Sequence, residues 1–153
     1  MDFKQLVGIA FEIRENADAP YSGFKSGAAL LSESGNIYVG CNMEIAGFSS
    51  SVSAEHSAFI NAISNGEKTF KAIAIVGGSE GEELDFCPPN GAGRQVMQEF
   101  CSNCNFKIIL AKSLNECVIY TFEDLFPIFP LGPLFQETCY LQIGPLCHFQ
   151  TFL

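Results

Sequence analysis

The chain has 153 residues, 48% hydrophobic and 16% charged, and a formal net charge of −9 from 17 acidic and 8 basic side chains. That composition describes one well-filled globular unit, not a disordered segment, and so acidic a chain excludes a protein that grips nucleic-acid phosphates. No run of about 18 apolar residues is present to span a bilayer, and Met1-Asp2-Phe3-Lys4 lacks the basic start and apolar stretch of a signal peptide. The expectation is a cytoplasmic protein with no membrane partner.

Phe3, Leu6, Val7, Ala10, Ile13 and Ala17 recur at helical spacing, so residues 2–17 are predicted as an amphipathic helix. Pro20 and Gly23 break it. Residues 27–31 and 37–41 are apolar runs joined by Ser32-Glu33-Ser34-Gly35-Asn36, a turn-rich hairpin connection. Residues 54–65 form a second predicted helix, ended by Gly66, with Ala58, Ile60, Ala62 and Ile63 near its buried side. Residues 71–76 are predicted as a strand, apolar from Ala72 onward, as in a strand buried on both faces. A helix over 91–100, a buried strand over 106–111 and a short strand over 117–120 follow. Helices alternating with such strands predict a three-layer α/β/α sandwich.

The seven cysteines, at 41, 87, 101, 104, 117, 139 and 147, are read as reduced thiols. Cys101-Ser102-Asn103-Cys104 has metal-like spacing, but a lone C-x-x-C without a second ligand pair is weak evidence for zinc.

Two segments carry the chemistry. Ser53-Ala54-Glu55 is followed, 35 residues after the glutamate, by Asn90 in Pro89-Asn90-Gly91-Ala92-Gly93-Arg94-Gln95. Their spacing resembles the zinc signature of nucleoside deaminases, His/Cys-x-Glu and then Pro-Cys-x-x-Cys, in which three side chains hold zinc and the glutamate shuttles protons. The donor positions here hold Ser53, Asn90 and Gly93. A hydroxyl, a neutral amide and an absent side chain are poor zinc ligands beside thiolate or imidazole. Neither metal nor cofactor is therefore expected. Cys87, three residues before Asn90, could stand in for a lost donor only through a register shift that misaims its sulfur.

The resemblance extends along residues 2 to about 133. Ala19-Pro20-Tyr21-Ser22-Gly23-Phe24 through Leu31 resembles the opening strand segment of the small, cytidine deaminase type family. Gly40-Cys41-Asn42-Met43-Glu44 resembles its sugar-binding segment, Phe70–Val76 its central strand, and Tyr120-Thr121-Phe122-Glu123-Asp124-Leu125-Phe126-Pro127 its closing segment. The resemblance implies a five-stranded mixed sheet and a homo-oligomer, dimer or tetramer. It implies that Phe24 stacks on a pyrimidine, that Asn42 and Glu44 bond the ribose hydroxyls, that Ala54 lies in the same substrate-binding set, and that Glu55 faces the base as the catalytic residue. Phe24 could also be ordinary core among 15 phenylalanines, and Glu55 a solvated acid at a helix start.

His56 stands where the family's pattern resembles an arginine that offsets the charge of zinc-bound thiolates. A neutral histidine fits a site without those thiolates, and equally an ordinary helix residue. The tail beyond residue 133 exceeds the family's usual length. Residues 134–153 contain one acidic side chain and no lysine or arginine, so this extension is expected to pack on the 1–133 domain or on a neighbouring subunit.

Zinc lowers the pKa of bound water from about 15.7 to about 7, an upper bound of about 12 kcal/mol. A general base contributes about 3–5 kcal/mol, so Glu55 alone does not replace the metal. Three functions remain open. One is a zinc-free protein binding a pyrimidine nucleoside or related small molecule. Another is a metal-independent nucleoside hydrolase that protonates the base through Glu55. The third is deaminase activity retained by an unorthodox site.

Overall fold

The computed structural model describes residues 2–101 and 105–125. Everything expected of residues 134–153, and of the end of the 1–133 domain, lies outside the described residues. Helix α1 (Phe3–Arg14) starts at Asp2, whose side chain accepts the Lys4 N–H at 3.2 Å. The helix stops three residues short of the predicted Ala17. Tighter turns close it, with Glu15 N–H on Glu12 O and Asn16 N–H on Ile13 O. Arg14 is itself buried, and its guanidinium donates to Lys25 O at 3.2 Å and Gly78 O at 2.8 Å. Those bonds fasten the end of α1 to the sheet.

Strands β1 (Phe24–Ser32), β2 (Ile37–Cys41), β3 (Phe70–Ser79), β4 (Lys107–Ala111) and β5 (Cys117–Thr121) form one mixed sheet in the order β2-β1-β3-β4-β5. Only β3 and β4 pair in parallel, Ile73 opposite Ile108. A parallel pair needs a crossover, and helix α3 (Gly91–Cys101) lies between them in the chain. Both β1 and β3 outrun their apolar cores, because Phe24 pairs with Ser79 and Ser26 with Gly77. Ladder pairing extends where hydrophobicity gives no signal.

Alternation along each strand builds two cores. Ala28, Leu30, Ile73, Ile75, Ile108 and Leu110 face helices α2 (Ala54–Ser64) and α3, while Ala29, Leu31, Ala72, Ala74, Val76 and Ile109 face α1. The first core is the bulkier, with Phe59 edge-on to Phe70 at 5.1 Å between ring centroids. The result is the expected α/β/α sandwich with a five-stranded mixed sheet.

The buried side of α2 differs from the sequence expectation. Ala58 and Ala62 are buried as expected, but Ile60 and Ile63 are 53% and 37% exposed, and Ala54, Glu55 and Phe59 are buried in their place. The cause is close approach: a methyl added at Gly40 on β2 would lie 2.3 Å from Ala58 N and 2.5 Å from Ala54 O. The helix backbone rests on that strand, and only an alanine stripe fits beneath it. Among the described residues no helix is long and apolar enough to cross a membrane.

Candidate functional site

Two helix starts meet at the site. Ser53 caps α2, its Oγ accepting the His56 N–H at 3.4 Å. Ala54 and Glu55 follow in the first turn, Ala54 fully buried and Glu55 only 4% exposed. The Glu55 carboxylate reaches the start of α3, where Oε1 accepts the Asn90 N–H at 3.3 Å. Asn90 caps α3 in turn, its Oδ1 accepting the Gly93 N–H at 2.8 Å and its carbonyl the Arg94 N–H at 2.9 Å. Arg94 donates to Pro89 O at 2.9 Å and Leu125 O at 2.7 Å, which ties this loop to the end of the short helix α4 (Phe122–Leu125).

Burial pushes the Glu55 carboxyl above its ordinary value; hydrogen bonds from Ser53 and Asn90 and the charge of His56 oppose that rise. Cys87 lies in the same place. Burial, and then the charge of Glu55, push its thiol up to about 11. A methyl built on Gly77 would lie 2.7 Å from Cys87 Sγ and 3.0 Å from the Phe24 ring. Phe24 and Cys87 therefore lie side by side over Gly77, with Cys87 near enough to Glu55 to feel its charge, and Phe24 is 40% exposed. The sequence alone marks Cys87 only as a stand-in metal donor; its place beside Phe24 depends on the β1–β3 pairing, which no local pattern reveals.

Asn42 and Glu44 lie beyond the end of β2 and hold the loop that leads into β1. The Asn42 amide donates to Phe24 O at 2.8 Å and accepts the Ser26 N–H at 2.7 Å. Glu44 Oε2 accepts the Tyr21 and Ser22 N–H groups, each at 3.0 Å, and Oε1 accepts the Ser22 hydroxyl. Chiefly through the Ser22 hydroxyl, these donors hold the Glu44 carboxyl below the usual range. Of the expected residues, Phe24, Asn42 and Glu44 thus share one rim around the start of β1, Glu55 sits against Asn90 and Gly93 at the start of α3, and the Ala54 side chain faces the core.

Cys101 of the C-x-x-C is fully buried in the core, and Cys104 lies outside the described residues. Among the described residues no three His, Cys, Asp or Glu side chains are grouped to hold a metal. A groove of about 470 Å³ lined by Gly8, Phe11, Glu12, Lys112, Ser113 and Leu114 opens on the α1 side of the sheet and includes none of the site residues.

Residues 2–79 match the family model described as the cytidine and deoxycytidylate deaminase zinc-binding region. The chain is 46% identical over 127 residues to a cytidine deaminase of Sporosarcina psychrophila, covering 83% of this chain and 90% of that protein. It is 36% identical over 127 residues to one from Halalkalibacterium halodurans, covering 83% and 92%. Its fold superposes on the crystal structure of cytidine deaminase from Burkholderia pseudomallei with a TM-score of 0.73 at 36% identity, over 83% of this chain and 98% of that one. With the enzyme from Mycobacterium tuberculosis the TM-score is 0.71 at 29% identity, over 86% and 99%. On the sequence match, the sheet order and the shared fold, this chain belongs to the cytidine and deoxycytidylate deaminase family.

Proposed function

We propose that this chain is a zinc-free member of the family that binds a pyrimidine nucleoside or a close analogue without zinc-hydroxide deamination. One observation carries the reading. The three positions that supply zinc donors in the family signature are otherwise engaged: Ser53 Oγ and Asn90 Oδ1 cap helices, and Gly93 has no side chain. Such a set does not fit zinc, which takes thiolate, imidazole or carboxylate. Without the metal, Glu55 supplies at most the part of the barrier that a general base can remove.

The rim is still suited to a nucleoside. Phe24 offers an exposed ring face for stacking, worth about 1–3 kcal/mol per base. The Asn42 amide has two N–H groups, one of them on Phe24 O, which leaves the other for a sugar hydroxyl. The Glu44 carboxylate has four acceptor sites and three protein donors. The relatives named cytidine deaminases suggest the base class. Assembly into a dimer or tetramer is part of the same proposal, and light scattering on a sizing column reads it.

A second reading rests on the two carboxylates, whose environments push them apart. Burial keeps Glu55 protonated to higher pH while donors keep Glu44 ionised, the arrangement that divides acid from charge stabiliser. Glu55 would protonate the base as the bond from ribose C1′ breaks, and water would add to the oxocarbenium carbon and return its proton to the Glu55 carboxylate, giving free base and ribose.

Mass spectrometry of cytidine, deoxycytidine and uridine incubated with the protein, without added metal, separates these outcomes. Unchanged nucleosides with saturable binding support the binder. A free base that disappears with Glu55→Gln establishes the hydrolase, and uridine formed from cytidine overturns both.

A further inference from the structure

We propose that Gly93 and Glu55 are a matched pair: the space a side chain at 93 would need is filled by the Glu55 carboxylate, so this site excludes a ligand there as well as lacking one. The inference rests on the zinc-free reading and deepens it. A methyl built on Gly93 would lie 2.2 Å from Glu55 Oε1, 2.4 Å from its Cγ and 2.7 Å from its Cδ. A clash with the tip of a flexible side chain is cheap to relieve when the tip can swing into water. Glu55 has no such freedom, because it is 4% exposed, is bonded to Asn90 N–H, and meets the methyl along its stem as well as at its tip. Gly93 is itself buried.

The pairing also explains a glycine in the first turn of α3, where alanine is the better helix former. With position 93 bare, the carboxylate lies against the start of α3. Asn90 completes the arrangement by turning its side chain onto the Gly93 N–H. Gly93 is thus a positioning residue: it sets where Glu55 rests, and the carboxylate in turn closes the third donor position.

Thermal melts of a double-mutant cycle test the pair. Gly93→Ala is expected to lower Tm in the native background and in Glu55→Gln, which keeps the shape without the charge. In Glu55→Ala the same change is expected to raise Tm, because only the helix preference remains. A second arm introduces Ser53→Cys, Asn90→Cys and Gly93→Cys together and measures zinc affinity by competition with a chromophoric chelator. Expected is zinc binding at least about 10-fold tighter when Glu55→Ala is added.

Equal effects of Gly93→Ala in all three backgrounds, or equal zinc affinity with and without Glu55, would overturn the pairing. The melts need neither ligand nor metal. Zinc found in the native protein would sink the zinc-free reading while leaving the melts to judge the contact on its own.

Discussion

Asn42 holds Phe24 in place: one amide group donates to the Phe24 carbonyl at 2.8 Å and accepts the Ser26 N–H at 2.7 Å. A single side chain thereby fixes the start of β1, where the aromatic ring meets the rim. Asn42→Ala removes both bonds, and stability should fall by about 1–3 kcal/mol. Nucleoside affinity should fall further than Phe24 stacking alone explains. Urea unfolding and calorimetry read the two effects. Unchanged stability would show that Asn42 is not holding the strand.

Glu55 makes stability depend on pH in a definite direction. Its folded pKa is raised, so its contribution is fully present below the ordinary value of 4.5 and is lost as pH climbs through the folded value. Glu55→Gln stays neutral throughout. The variant should gain on the native protein as pH rises from 4.5 to 8 in urea midpoints. A difference that stays flat across that range would mean the carboxylate is solvated after all.

Gly40 governs how closely α2, and Glu55 with it, sits on the sheet. Gly40→Ala forces a methyl to within 2.3 Å of Ala58 N, and the helix must lift. The expected cost is about 1–3 kcal/mol, with weaker ligand binding because Glu55 moves as well. Full stability and affinity would place the helix farther from β2 than described.

Cys87 should be a slow thiol. Its pKa is pushed up to about 11 and it is half-buried, whereas Cys117 is exposed. Thiolate is the reactive form, so peptide-resolved iodoacetamide labelling at pH 8 should modify Cys117 well before Cys87. A bound nucleoside should slow Cys87 further and leave Cys117 unchanged. Cys87 labelling first would contradict its part-buried place beside Phe24.

Much of this molecule is legible from residues alone: the apolar runs over 27–31, 72–76 and 108–111 mark buried strands, and Phe3, Leu6, Val7 and Ala10 at helical spacing mark α1, whereas which core each strand residue faces comes from the fold. The family signature likewise marked Ser53, Glu55, Asn90 and Gly93 by spacing. What stayed hidden is set by contacts between distant segments. Ile60 and Ile63 have the apolarity of core, yet α2 turns its alanines inward because Gly40 lets the backbone approach. Cys87 meets Phe24 only through the β1–β3 register. The packing of Glu55 on Gly93 follows from two helix starts meeting, which no single stretch of sequence encodes.

The most direct measurement is metal content by mass spectrometry on protein expressed with supplemented zinc and purified without chelator, paired with a cytidine titration before and after chelation. A zinc-free nucleoside binder should carry zinc at well under one atom per chain and bind cytidine equally in both states. One zinc per chain, with cytidine converted to uridine until a chelator stops it, would contradict the central claim.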